Sequence, residues 1–212
     1  MFRNAHTFKP SFSLRPLAAE GIRLSLFLTV LYAVGFATGP LMYLSFPTNL
    51  KSSFITQIHT ALLSLSTFHP AAHVTITETT VELLLLFMMW IFAQTPIGTP
   101  FVVIILFLRA VSAGLTFLSI PLAFGLRGFG FDLLAIAPSN ILTGGSFIFA
   151  ATVGLLLIRH AHKGGKTTFR YPVWVAYHGA VLFAAGLLFC SGKLETVAAI
   201  HALGWLGLSK AP

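Results

Sequence analysis

Arg109 stands in Phe107-Leu108-Arg109-Ala110, inside an apolar run that begins at Pro100. Counted at ~1.5 Å per helical residue, it lies on the order of 13 Å into a hydrocarbon core ~30 Å thick. A guanidinium at that depth must face protein, water or a partner, because lipid offers it no hydrogen bond. A later segment offers one. In Ala137-Pro138-Ser139-Asn140, Pro138 has no N–H, so the Leu134 carbonyl loses its intrahelical donor and needs another. Asn140, counted from the opposite end, is also on the order of 13 Å deep. The expectation is that Arg109 donates to the Leu134 carbonyl and to Asn140, stapling two helices. The alternative is a side chain that snorkels to the interface. Glu82 is a further acid within reach of a long arginine.

The remaining acids, Glu78, Asp132 and Glu195, fall near helix ends with Glu82, whereas Glu20 lies at the other side. They read as a polar outer rim, suited to docking a partner or simply to solvation. Catalysis has little to work with. His69, His73 and Glu78 have a spacing that suits metal ligation on a helix, but Pro70 falls between the histidines. His160 and His162 sit in a basic loop that disfavours a cation, and His178 is isolated. There is no Gly-x-Ser-x-Gly and no pair of aspartates within a span. No catalytic, cofactor-binding or metal-binding residue is expected, and the chain is not expected to be an enzyme. Gly114, beside Ser112, and Gly144-Gly145 offer small surfaces for close helix packing. A broken helix with a polar midsection is also how many transporters build a substrate site.

The elements that position these residues follow from composition. Of 212 residues, 56% are hydrophobic and only 8% charged, where a soluble domain carries roughly 25%. Such a surface cannot face water, so the lipid bilayer is the expected solvent. Apolar runs of spanning length mark about five transmembrane helices: 24–46, 81–93 (or from about 74), 100–124, 131–158 and 171–190. The fold class expected is an all-α membrane bundle, with a multi-pass domain over 24–191. Lone Cys190 reads as a small core hydrophobe. The charge of +8 is spread between the apolar runs, which fits membrane topology and excludes a nucleic-acid patch.

Basic residues set the orientation. Arg3, Lys9, Arg15 and Arg23 precede the first span, and Arg159, Lys163, Lys166 and Arg170 fill the loop 159–170. The opposite side has Lys51, Arg127, Lys193 and Lys210. The tail 1–23 is therefore expected in the cytoplasm, and the C-terminal segment 192–212 outside. The long connection 47–80 also lies outside. There Phe54, Ile58 and Leu62 recur at helical spacing among polar residues, so an amphipathic helix on the outer leaflet or capping the bundle is expected. The segment after Cys190, broken by Gly192, Gly204 and Gly207, reads as a surface helix.

From the second span to the fourth, several motifs recur in order: Met89-Trp90, Thr95-Pro96-Ile97-Gly98-Thr99-Pro100, Leu106 to Ala110, Gly114-Leu115-Thr116 and Pro138-Ser139-Asn140. Across roughly 82–158 this resembles the stage II sporulation protein M family; Gly35 to Gly39 and Leu194-Glu195 fit more loosely. The resemblance implies a non-enzymatic scaffold in the mother-cell septal membrane of an endospore former. It would localise two wall-degrading partners, stage II sporulation proteins P (an amidase) and D (a lytic transglycosylase), so that septal peptidoglycan thins and engulfment proceeds. Such partners would dock on the outer face, at Phe54, Ile58, Leu62 and Glu195. A homo-oligomer is compatible with this. The alternative from a different class is a small transporter or channel subunit with a polar path at Arg109 and Asn140.

Overall fold

A computed structural model describes residues 14–67, 72–163 and 171–202. Arg3, Lys9, His69, Pro70, Lys166, Arg170 and Lys210 lie outside the described residues, as do Gly204 and Gly207. So do the side chains of Leu62, His73, Glu78, His160 and His162. Every described element is helical: α1 (Leu14–Leu44), α2 (Thr48–Thr67), α3 (Ala72–Phe92), α4 (Thr99–Phe131), α5 (Ala137–Lys163) and α6 (Tyr171–Ala202). A 3-10 turn, Pro96–Gly98, precedes α4, and a π-helical turn, Asp132–Ile136, joins α4 to α5.

Three stretches are long and apolar enough to cross a membrane: Ala19–Leu44, Thr99–Arg159 and Trp174–Ala202. A shorter apolar stretch, Thr79–Phe92, forms most of α3. The 61 residues of Thr99–Arg159 would reach about 90 Å as one straight helix, three times a bilayer core. They do not run straight. Gly125 has φ 63° and ψ −141°, a conformation that residues with a Cβ rarely adopt, and the chain reverses there. Gly128 then packs so closely on the Ile120 carbonyl that a Cβ would not fit. The two arms, 99–124 and 126–163, lie antiparallel, with Phe117 facing Ala137, Ile141 and Ile148 across a groove.

Two apolar clusters fix the rest. At one end Leu24 and Leu28 of α1 meet Met89 of α3, Val102 and Leu106 of α4, Leu155 and Ile158 of α5, and Tyr177 of α6. At the other, Ile120, Phe131, Ala135 and Ile136 meet Ala199 and Ala202 of α6, with Ile58 of α2 packed on them. Starts and ends of successive helices therefore alternate between the two ends. Arg159 of α5 pairs with Glu20 of α1 at 3.3 Å, so the first part of α1 and the last part of α5 lie at the same end.

Lipid-facing surface explains the outward residues. Leu26, Val30, Leu41, Ile104, Leu108, Ile141 and Leu182 are all exposed, as a bundle solvated by acyl chains requires. Cys190 is among the exposed residues, which corrects its expected place in the core. The α6 helix also runs on past Cys190 to Ala202 without interruption. Gly192 does not end it, because the helical hydrogen bonds continue and Ala199 and Ala202 are buried in the second cluster.

Candidate functional site: a polar cavity within the helices

Four helices bring polar groups together in the middle of the bundle, and three of them bring charge. Arg109 of α4 forms a salt bridge with Glu82 of α3, and both side chains are largely withdrawn from the surface, at 12% and 20% exposure. An opposite charge outcompetes a neutral carbonyl or amide for a guanidinium, because the bond is charge-assisted. This corrects the expected staple: Arg109 holds neither the Leu134 carbonyl nor Asn140. The π turn shifts the hydrogen-bond register just before Pro138, with Ala137 N–H donating to the Asp132 carbonyl.

The ion pair lines a cavity of about 460 Å³ with Asn140 of α5 and Glu195 of α6. Ser112 and Thr116 add hydroxyls, and Leu85, Ile105 and Leu188 supply apolar wall. Polar capacity is left over inside. Glu82 Oε2 and Arg109 Nε are buried without a partner. Glu195 is held from α5, with its Oε2 2.8 Å from Ser139 Oγ. Below it runs a chain of hydroxyls. Ser191 Oγ donates to the Ser139 carbonyl at 2.7 Å, and Thr143 Oγ1 lies 2.9 Å from Ser191 Oγ. Such a group can hold a polar or charged molecule through several hydrogen bonds.

Compared with protein-family models, curated proteins and solved structures, the chain matches none.

A second, apolar groove of about 360 Å³ lies on the other side of Asn140, lined by Tyr32, Phe36, Phe117, Ile141 and Ile148. The Tyr32 hydroxyl is buried beside it without a partner. Gly144 packs on the Tyr32 ring, whereas Gly145 faces open space in that groove. Gly114 does pack: a Cβ there would strike the Phe36 carbonyl of α1. Gly98 lies under the Phe92 carbonyl in the turn into α4, and Pro100 occupies the first turn of that helix, where its missing N–H costs nothing.

Trp90 sits elsewhere. Its carbonyl accepts from Tyr177 Oη at 3.2 Å, and its ring meets His178 edge-on, with Trp174 on the same imidazole. This aromatic group marks the end of the bundle that holds Glu20 and Arg159, as rings do at a membrane–water interface. Phe54 packs on Tyr43, and Ile58 on the cluster around Ile120 and Phe131, so both turn toward the bundle.

Two features escaped the sequence reading. Gly35 and Gly39 form a Gly-x-x-x-Gly face on α1 that closes on Ala110, Val111 and Gly114 of α4. The spacing was visible. The hydroxyl chain also had a local signal, since Ser139 and Thr143 are four apart on one helical face. Its destination, Glu195, had none.

Proposed function

We propose that the protein is a small multi-pass membrane carrier or channel component in which the cavity between Glu82, Arg109, Asn140 and Glu195 is the path for a polar or charged solute. The observation that carries this reading is the convergence of those four residues, from four helices, on one cavity inside the bundle. Intramembrane ionisable groups are costly, and they collect where a solute or ion must pass. Five crossings suit it: α1, α3, the two arms either side of Gly125, and α6. The ends carrying Glu20, Arg159 and Trp90 then lie in the cytoplasm.

Cysteine accessibility tests the reading. In a Cys190→Ala background, Ser112→Cys and Asn140→Cys should react with hydrophilic thiol reagents in native membranes, while Ile104→Cys on the lipid face should not. If the cavity positions are as inert as Ile104→Cys, no aqueous path reaches them and the reading fails.

The scaffold reading keeps one specific support. Arg109 and Asn140, which carry the resemblance to the sporulation family, meet Glu195 at the same cavity. On that reading the polar group holds the helices that present an outer surface to the two wall hydrolases. Deletion in an endospore-forming host should block engulfment, and the protein should retain both hydrolases in a pull-down. Normal engulfment after deletion would eliminate it.

A further inference from the structure

Ser139 stands between two acceptors, the Ile136 carbonyl and Glu195. Ser139 Oγ lies 2.9 Å from the Ile136 carbonyl and 2.8 Å from Glu195 Oε2. A hydroxyl has a single hydrogen and can donate to only one of them. If Glu195 is ionised, Ser139 turns its hydroxyl to the carboxylate, and the Ile136 carbonyl keeps only the helical N–H of Asn140. If Glu195 is neutral, its own O–H donates to Ser139 Oγ, Ser139 donates to the Ile136 carbonyl, and both short contacts are satisfied. Only the neutral form keeps both short contacts at the completely buried Ser139.

Charge leads to the same conclusion. Facing Glu195 from α3 is Glu82, from α4 Arg109, and from α5 Ser139 and Asn140. Tyr32 of α1 lies within electrostatic reach of the Arg109–Glu82 pair. Arg109 is already paired with Glu82. On α6 itself, Lys193 is exposed and turned onto the Phe189 ring, and His201 Nδ1 is bonded to the Val197 carbonyl. With Glu195 neutral the cavity carries no net charge; with Glu195 ionised it carries one unmatched negative charge and a free carboxylate oxygen.

We propose that Glu195 is a proton–cation exchange site: a monovalent cation enters the cavity as Glu195 gives up its proton. The inference rests on the solute-path reading and names the class of solute. The exchange balances. The O–H bond of Glu195 breaks, its proton leaves to solvent, the cation takes up the charge, and Ser139 turns its hydroxyl from the Ile136 carbonyl to the carboxylate. The cation is a metal ion or a small organic ammonium, since both offer the same charge and the cavity has room for either.

Purified full-length protein in weakly buffered detergent, with a pH dye, provides the test. Addition of sodium, potassium or ethanolammonium chloride should release about one proton per cation bound, and the arm that responds identifies the source. Choline chloride controls for ionic strength. Glu195→Gln should fold, because its amide N–H₂ donates to Ser139 Oγ as the neutral acid does, and it should release no proton. Should that variant not survive purification, infrared difference spectra of Asp132→Asn protein must lose a protonated-carboxyl band when the cation is added. Release that persists in Glu195→Gln overturns the proposal, as does an unchanged infrared band or no release with any cation. If cysteines at Ser112 and Asn140 still react with hydrophilic reagents, only the exchange proposal falls. If they are inert, the solute-path reading falls with it.

Discussion

Taking away one member of the Arg109–Glu82 pair strands the other in a low-dielectric interior, which typically costs about 3–5 kcal/mol. Arg109→Leu should therefore lower the unfolding midpoint in detergent sharply, and Glu82→Leu should do the same. The double variant should recover most of the loss, because apolar replacement of a whole buried pair is often neutral. Additive losses would mean that the two side chains do not act as a pair. Asp132 is the opposite case. It is fully buried, and neither carboxylate oxygen has a partner. Removing an unsatisfied buried group relieves about 1–3 kcal/mol, so Asp132→Leu should raise the same midpoint. A fall would indicate a partner bound to Asp132 in the membrane. Arg109 itself was legible in the sequence, because a charge inside an apolar run is a local signal. Its partner was not, because whether Glu82 or Asn140 reaches it depends on how α3 and α5 are rotated within the bundle.

Among the elements, close contact of α1 with α4 depends on residues without side chains. Gly39 approaches the Val111 carbonyl so tightly that a Cβ would overlap it, and Gly114 does the same to Phe36. Gly39→Val or Gly114→Val should push the helices apart and cost at least as much as overpacking in a core, about 1–3 kcal/mol. Gly145→Ala, which meets nothing, should be tolerated. Thermal unfolding of the three variants in one detergent makes the comparison, and equal losses would refute this helix pairing. The three long apolar stretches were readable because apolar runs of spanning length are a strong signal. The far end of α6 was not. Ser191, Gly192, Lys193 and Glu195 make that stretch look like a surface segment, yet Ser191 and Glu195 point inward to the hydroxyls of Thr143 and Ser139 on α5.

For the whole molecule, the alternation of helix ends gives a membrane orientation that labelling can check. Arg127 sits by the Gly125 reversal, and Gln94 in the turn between α3 and α4; both are exposed and belong to opposite ends. In a Cys190→Ala background, Arg127→Cys should react with an impermeant thiol reagent on intact cells, and Gln94→Cys only after permeabilisation. The reverse pattern would invert the orientation, and labelling of both from outside would break the five-crossing arrangement. The excess of basic residues beside Glu20 and Arg159 predicts the first outcome.

The π turn at Asp132–Ile136 acts as a phase shifter. It holds one residue more than an α-helical turn would need, and each residue advances a helix by about 100°. That added rotation carries through α5, so the stripe of Ser139, Thr143 and Ser146 faces protein and is buried. Deleting one residue from the turn would leave a sound helix of nearly the same length and hydropathy. Its hydroxyl stripe, however, would turn toward lipid, and Glu195 would lose its Ser139 partner without any change to either residue.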